Sequence, residues 1–150
     1  MRVERSGVSW RRPGSPIGAN SVTRLPAKVS AAFPNTVATT VANETNAHPG
    51  MTVFASERYA DWLLWKDPAL AGRLVYDIRF ELFNRKLFDQ LLAFHEQTGS
   101  DWLRMLHGAR LVVLYRKTDH RAAAALRREP GTRVLYENHD LVVILRRPSV

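Results

Sequence analysis

Residues 52–81 read TVFASERYADWLLWKDPALAGRLVYDIRFE, and this stretch decides the fold. Residues 52–55 are short and apolar and predict a buried strand, and Ser56 is a suitable N-cap for a helix over 57–66. After a turn that begins at Asp67 and ends at Gly72, residues 74–78 predict a second strand. A strand, a helix and a strand in this order indicate an α/β fold with parallel strands.

The rest of the chain continues the alternation of helices and strands. A short helix is predicted between Asn35 and the His48-Pro49-Gly50 stop, and a longer one between Asn84 and Gly99. The later predicted elements are a helical turn over 101–107, a strand over 109–115, a helix over 119–128 capped by Thr118, and hairpin strands over 132–136 and 141–146. We therefore predict a three-layer α/β sandwich whose mainly parallel sheet carries a C-terminal antiparallel hairpin.

The composition indicates one domain. A chain of 150 residues with 45% hydrophobic residues can build a single core, which we place at residues 34–150. Residues 1–33 are rich in Pro and Arg and have no hydrophobic period, so we expect them to be disordered. The longest apolar runs have the length of strands, and a membrane helix needs about 20 residues, so no membrane span is expected in this chain.

The net charge of +8 raises the question of nucleic-acid binding. Residues 1–50 contain six Lys/Arg and two acidic residues, and residues 51–150 contain sixteen and twelve, so each part contributes +4. The predicted domain is thus only mildly basic with mixed signs, which is typical of a soluble surface. We therefore expect no specific nucleic-acid partner. A nucleic-acid-binding module, motivated by the net charge, is a third hypothesis; affinity that is lost when residues 1–33 are removed would show that only the charge of this segment is involved.

Three charged residues lie at the end of the second predicted strand and just beyond it. Asp77, Arg79 and Glu81 alternate by two, so they share one face if the strand continues. Two carboxylates beside a guanidinium can hold a cation, a sugar hydroxyl or a phosphate. The competing interpretation is an ion-pair cluster that only fixes the chain as it leaves the sheet.

The helix over 57–66 carries a second group of candidates. Arg58, Asp61 and Trp65 are spaced to lie on one side, while Tyr59, Trp62, Leu63 and Trp65 are expected to form its apolar side. A tryptophan ring beside a carboxylate suits a sugar, although tryptophans more often belong to the core. We predict Arg58, Asp61 and Trp62 as ligand or partner contacts.

Several kinds of site are not predicted. The five histidines lack the spacing of metal ligands, there is no cysteine, and no phosphate-binding glycine loop occurs, so we expect no metal and no cofactor. Ser56 follows a strand but lacks the glycines of a nucleophile elbow, so we interpret it as a helix cap. The arginine pairs 127–128 and 146–147 are interpreted as solvated ends of elements.

The motifs VFASERYADWLLW, PALAGR and YDIRFELF, with the later RVLYENHDLVVILRR, resemble the C-terminal soluble domain of bacterial polytopic glycosyltransferases of the GT-C, or dolichyl-phosphate-mannose mannosyltransferase, type. The resemblance covers about residues 36–147 and is best over 53–83. It implies an extracytoplasmic domain that follows the last membrane helix, while the membrane part binds the polyprenyl-phosphate sugar and supplies the catalytic acid.

The resemblance also defines the expected function. A Pro/Arg-rich segment stands where the family has membrane spans, so we expect a truncated or detached member acting as a non-catalytic accessory domain. Its partners would be a membrane-embedded transferase domain or a glycan. The matching residues, with a binding or docking role, are Arg58, Asp61, Trp62, Asp77, Arg79 and Glu81. The alternative is a free-standing enzyme that acts on a sugar or phosphate through Asp77 and Glu81.

Overall fold

A mixed four-stranded sheet organises the molecule, seen in a computed structural model that describes residues 31–75 and 84–147. In chain order the strands are β1 (Val53–Ala55), β2 (Leu111–Tyr115), β3 (Arg133–Glu137) and β4 (Leu141–Leu145). They lie side by side in the order β1-β2-β4-β3. Strand β1 is parallel to β2, whereas β4 is antiparallel to both β2 and β3.

The strand sequences explain this order. Strands β2 and β4 are apolar throughout, and the first four residues of each are buried, so both can be covered on two faces in the middle of the sheet. Strand β3 carries charged ends, is mostly exposed, and has a register shift between Val134 and Tyr136. A polar, irregular strand of this kind is suited to a sheet edge.

Four α-helices whose bounds fall within residues 31–75 and 84–147 accompany the sheet, and they confirm the predicted mixed α/β class. They are α1 (Asn35–Ala47), α2 (Glu57–Lys66), α3 (Arg85–Glu96) and α4 (Arg116–Arg128). Short 3-10 segments lie at Pro68–Leu70 and Trp102–Leu106. Each predicted helix within the described ranges is present, with bounds that differ by a few residues.

Apolar side chains form two clusters, one on each face of the sheet. Along β2, Leu111 and Val113 point to one face and pack with residues of α1 and α2. Val112 and Leu114 point to the other face and pack with residues of α3, of the 3-10 segment Trp102–Leu106 and of α4. The alternation follows from the pleat of a strand, whose successive side chains point to opposite faces.

A mainly parallel sheet is not confirmed, because among the described strands β1 and β2 form a parallel pair, whereas the other two neighbouring pairs are antiparallel. The hairpin of β3 and β4 supplies half of the strands and places β4 beside β2. Where the second strand was predicted, Leu74 forms a parallel bridge with Val53, and residues 76–83 lie outside the described part. The predicted disorder of the N-terminal segment concerns mainly residues 1–30, which are also outside it.

The helix ends show which caps were predicted correctly. The Asn84 side chain accepts a hydrogen bond from the Leu87 amide at 2.9 Å, as expected of an N-cap. Ser56 occupies the N-cap position of α2, but its side chain makes no capping hydrogen bond. Helix α4 starts at Arg116 and contains an irregular residue at Asp119, so the predicted cap at Thr118 was wrong and the start lies earlier.

Two predicted apolar helix faces are less buried than the sequence suggested. Trp65 is 72% exposed, so it does not belong to the buried side of α2, whose buried residues are Tyr59, Ala60 and Leu63. On α3, Leu91 and Phe94 are buried, whereas Phe88 and Leu92 are about two-fifths exposed. Helical spacing predicts which residues share a side, but the width of the covered stripe depends on the packing partners.

Candidate functional site

The parallel strands β1 and β2 end at the same edge of the sheet, and several of the predicted site residues lie near this edge. Ser56 directly follows β1, and Tyr115 is the last residue of β2. Helix α2 starts at the first of these ends and helix α4 at the second. In α/β sheets, ligands bind beside the carboxyl ends of the strands, so this edge is the natural place for a site.

Ser56 and Asp119 form a buried polar pair at this edge. The hydroxyl of Ser56 donates to Oδ2 of Asp119, and the Tyr115 amide donates to the Ser56 hydroxyl at 2.9 Å. Thr118 donates to the other carboxylate oxygen of Asp119 at 3.0 Å. Ser56 and Asp119 are 5% and 3% exposed, so the pair joins the two strand ends from inside and is not open to a substrate. The earlier interpretation of Ser56 as a cap is replaced by this cross-strand role.

Arg58 lies on the surface above this pair, between two aromatic rings. Its guanidinium carbon is 5.1 Å from the ring centroid of Phe33 and 5.1 Å from that of Tyr115. Cations at this distance are attracted to the ring faces. No carboxylate of the described residues lies within salt-bridge distance of Arg58, so its charge is held by stacking and stays available. We call Phe33, Arg58, Tyr59, Trp62 and Tyr115 the aromatic–arginine cluster.

Tyr59 forms the floor of this cluster. Its side chain is fully buried, and its hydroxyl makes no hydrogen bond of normal geometry with the described residues. Burial raises the pKa of Tyr59 to about 12; the nearby Arg58 guanidinium opposes the rise, and Asp140 adds to it. The hydroxyl is therefore neutral at physiological pH. Because it is buried, it supports the cluster from below and is not an exposed contact.

The other two predicted residues of α2 have different surroundings. Trp62 is half-buried, and its ring packs against Phe33 at a centroid distance of 5.6 Å and against Tyr59 at 6.4 Å. Asp61 is exposed and makes no hydrogen bond or ion pair with the described residues. The structure thus brings Arg58 and Trp62 together through Phe33 and leaves Asp61 beside them in solvent.

Asp77, Arg79 and Glu81 lie outside the described residues, so their predicted contact role stays a prediction. The chain that leads to them is anchored next to β1. The Val53 amide donates to the Arg73 carbonyl at 2.8 Å, and the Val75 amide donates to the Val53 carbonyl at 2.9 Å.

Phe33 and Tyr115 are the cluster members that the sequence did not single out. Phe33 belongs to the segment expected to be disordered, yet Ala32 before it is buried and Phe33 packs against both Tyr59 and Trp62. Tyr115 was read only as the end of an apolar strand. The sequence signal that could have identified Tyr115 is an aromatic residue at the carboxyl end of a buried strand.

The interpretation of the arginine pairs as solvated ends was wrong for Arg146. Its side chain is 15% exposed and pairs with both carboxylate oxygens of Glu129, at 2.8 and 3.2 Å. It also donates to the Leu106 and Ala109 carbonyls. Arg127 likewise pairs with Glu137 at 2.7 Å. Charged strand and helix ends cannot be assigned to solvent until the partner element is known.

Two other kinds of site were sought within residues 31–75 and 84–147. No group of three or more His, Asp or Glu side chains there is arranged to hold a metal ion. None of the helices in these ranges has the length and apolar character needed to cross a membrane.

The chain was also compared with known proteins. Protein-family models, curated protein sequences and solved structures gave no match.

Proposed function

We propose that the chain is a non-catalytic accessory domain related to membrane glycosyltransferases that use polyprenyl-phosphate sugars, and that it contacts a glycan through the aromatic–arginine cluster. The observation that carries this proposal is the position of Arg58. Its guanidinium, which has no carboxylate partner among the described residues, lies between two rings at the carboxyl edge of β1 and β2. The resemblance of residues 53–83 to the soluble domain of these transferases supports the proposed relation to them.

The surface offers the groups that a sugar needs. Arg58 provides donors for hydroxyl groups, Asp61, which has no partner among the described residues, provides acceptors, and the half-buried ring of Trp62 provides an apolar face. Binding sites typically combine aromatic surface with a few polar groups that fix the orientation of the ligand. A glycan matches this combination better than a purely apolar ligand.

The proposed architecture is a three-layer α/β sandwich. It is supported by helices α1 and α2 on one face of the sheet and by α3 and α4 on the other. In this arrangement α2 presents its outer side at the carboxyl edge, so the cluster is carried by a helix that the core holds in place.

The non-catalytic role is supported by the state of the hydroxyl and carboxyl groups at this edge. The Ser56 hydroxyl and the Asp119 carboxylate, the polar pair nearest to the cluster, are buried and bonded to each other. A carboxylate engaged in this way is not positioned to take a proton from a substrate.

The binding test is a titration of the full chain with a panel of soluble oligosaccharides, followed by NMR of the tryptophan indole groups. We expect the Trp62 signal to shift and Arg58→Gln to weaken binding at least about fivefold, since hydrogen bonds to charged groups are lost. Trp65→Leu is the matched control, because Trp65 is on the same helix but exposed and outside the cluster. Equal weakening by both substitutions would contradict the proposal.

The catalytic test uses a polyprenyl-phosphate sugar. The purified chain is expected to release no sugar from this donor when a range of acceptors is supplied. Turnover that survives repurification of the protein would refute the non-catalytic role. In that case Asp77→Asn, which removes one of the carboxylates predicted for an enzyme, would show whether the predicted acidic residues are responsible.

A further inference from the structure

A cleft lined by arginines lies at the opposite edge of the sheet from the aromatic–arginine cluster. It has a volume of about 660 Å³ and is formed where the C-terminal end of α1 meets the start of β3 and the end of β4. Its charged lining includes Glu44, Arg110, Arg133, Arg146 and Arg147. Small-molecule sites in proteins commonly have volumes of about 300 to 1,000 Å³. We call this feature the arginine cleft.

The strand register creates the cleft. Leu111 at the start of β2 pairs with Leu145 at the end of β4, because the two strands are antiparallel. The residues just outside this pair are therefore neighbours, and the Arg146 amide donates to the Arg110 carbonyl at 2.7 Å. Arg133, at the start of β3, pairs with Leu145 from the other side, so main-chain pairing brings Arg110, Arg133 and Arg146 to one place.

The charge of the cleft is not balanced by its own acids. Arg146 is neutralised by its bidentate pair with Glu129. Arg133 has only a 3.9 Å contact with Glu44, and its side chain is 69% exposed. Neither Arg110 nor Arg147 has a carboxylate partner among the described residues. Three arginines therefore face one glutamate, which leaves an excess of about two positive charges.

Arg110 is unlike an ordinary solvated arginine. Its Nε is buried and has no hydrogen-bond partner in the described part of the chain. Leaving a buried donor unsatisfied is unfavourable, more so when the group is charged. The Arg110 side chain also lines the cleft, so a small shift of this side chain toward an oxyanion bound there would give Nε an acceptor.

The Arg147 guanidinium lies against the backbone of Gly131. Gly131 has a φ of +79°, and a β-carbon built on it would lie 2.6 Å from Nε and 2.9 Å from Cζ of Arg147. The guanidinium therefore rests on the glycine and fills the space of a side chain. The absence of a β-carbon at Gly131 thus leaves room for the Arg147 guanidinium at the cleft.

The C-terminal end of α1 does not oppose an anion as strongly as a bare helix end would. The free carbonyls of such an end carry partial negative charge. Here Arg73 donates to the Thr45 carbonyl at 2.8 Å and to the His48 carbonyl at 2.9 Å. The remaining repulsive group at the cleft is the Glu44 carboxylate.

We propose that the arginine cleft is a binding site for a phosphate-bearing ligand, with Arg110, Arg133 and Arg147 as its cationic contacts. The planar guanidinium group matches the geometry of phosphate oxygens and forms two parallel hydrogen bonds with them. A diphosphate, with charge spread over two phosphoryl groups, suits cations on more than one wall. Glu44 then limits the affinity, because it competes for Arg133 and repels the anion.

The test is calorimetric titration of the full chain with inorganic pyrophosphate at low ionic strength, with chloride of equal ionic strength as the reference. We expect saturable binding that Arg147→Gln weakens at least about tenfold, as lost charge-assisted hydrogen bonds predict. Arg85→Gln is the matched control, since Arg85 is an exposed arginine of α3 on the other face of the sheet. The affinity of the Arg85→Gln variant for pyrophosphate should stay within about twofold of that of the unchanged protein.

Glu44→Gln supplies a test in the opposite direction. Removing this carboxylate frees Arg133 and should tighten pyrophosphate binding about two- to fivefold, the range of an exposed ion pair. Thermal unfolding of each variant checks that the fold is kept, and Arg133→Gln replaces Arg147→Gln if the latter does not fold. The proposal is overturned if pyrophosphate gives no saturable binding or if the arginine variants bind as well as the control.

Vesicles distinguish the source of the phosphate. Sedimentation with vesicles that contain phosphatidic acid should depend on Arg147 if the ligand is a lipid headgroup. If the vesicles do not retain the protein while soluble pyrophosphate still binds, the ligand is a soluble phosphate. Vesicle binding that Arg147→Gln leaves unchanged, without pyrophosphate binding, would show that charge outside the cleft is responsible and would refute the proposal.

Discussion

Replacing Ser56 by alanine tests the role of the buried pair with Asp119. The Ser56 hydroxyl has one proton, and this proton bonds the Asp119 carboxylate at the carboxyl edge of the sheet. The oxygen of the same hydroxyl accepts from the Tyr115 amide at 2.9 Å. Alanine fills nearly the same space, so the change removes these bonds without creating a large cavity. The position of α2 relative to β2 then depends on the remaining contacts.

The expected cost follows from the number and kind of bonds lost. A hydrogen bond to a charged group contributes about 1.5 to 3 kcal/mol. The Tyr115 amide keeps Asp119 as a second acceptor at 3.2 Å, so this donor is not left unpaired. We therefore expect Ser56→Ala to lower the free energy of unfolding by about 2 to 3 kcal/mol. For a chain of this length the melting temperature should fall by about 4 to 10 °C.

The assay is thermal and urea unfolding followed by circular dichroism. Ser100→Ala is the control, because Ser100 is exposed and makes no side-chain hydrogen bond with the described residues. A double-mutant cycle with Asp119→Asn should give a coupling energy of about 1 kcal/mol or more, since the two side chains are in contact. A loss below about 0.5 kcal/mol for Ser56→Ala would refute the reasoning, because surface substitutions have effects of that size.

Three further substitutions test other parts of the structure. Tyr59→Phe removes an unpaired buried hydroxyl and should raise the free energy of unfolding by about 1 kcal/mol at neutral pH. Because the pKa of Tyr59 is raised from 10.0 to about 12, its titration leaves the free energy of unfolding unchanged below pH 10 and lowers it as the pH rises from 10 toward 12; absorbance at 295 nm should show this late titration, and Tyr59→Phe should abolish it. Gly131→Ala should lower the free energy of unfolding in urea by about 1 to 2 kcal/mol, because alanine is strained at the positive φ of this residue, and its β-carbon should displace Arg147. Gly50→Ala is the control: Gly50 has a φ of +85° and open space around it, so this change should show the effect of backbone strain alone. Arg73→Met removes three hydrogen bonds to carbonyls at and just beyond the C-terminal end of α1 and should lower the free energy of unfolding in urea by about 2 kcal/mol. An unchanged urea midpoint would show that water replaces the guanidinium as the donor to these carbonyls.

The elements were largely predictable because the local signals were strong. The apolar runs of β2 and β4, the Asn84 cap and the hairpin turn all depend on residues close in sequence. In the turn, the Asn138 side chain accepts from the amides of Asp140 and Leu141 at 2.8 and 2.9 Å. Asparagine favours turns for this reason. Local hydrogen bonds of this kind can be inferred from the sequence alone.

The sheet order was less predictable because it depends on contacts between distant residues. Nothing local to 141–145 shows that this strand would pair with β2 on one side and β3 on the other. The same limit applies to Ser56, whose partner Asp119 lies 63 residues away. A serine after a strand fits a local cap as well as a long-range bond, and only the packing decides between them.

The candidate site was predicted in part. The helical spacing correctly places Arg58 and Asp61 on the outer side of α2, but the rings that hold Arg58 come from Phe33 and Tyr115, on other elements. Trp65 was expected in the apolar side and is exposed, where Lys66 covers one face of its ring at 4.6 Å. An amphipathic pattern does not distinguish a core tryptophan from a surface one when both adjoin the apolar stripe.

The two edges of the sheet hold their cations in different ways, and this difference follows from the strand directions. At the carboxyl edge of the parallel pair, the chain turns into helices, and Arg58 lies between the ring of Tyr115, at the end of β2, and the ring of Phe33, which precedes α1. At the other edge, the antiparallel register joins the start of β2 to the end of β4, so Arg110 and Arg146 become neighbours. A shift of one residue in this register would turn every side chain of β4 to the opposite face. The alternation of side chains along the buried strands β2 and β4 therefore fixes the positions of the residues that form the arginine cleft. Among the described residues Arg146 is neutralised by Glu129, so the excess positive charge of the cleft comes from Arg110, Arg133 and Arg147.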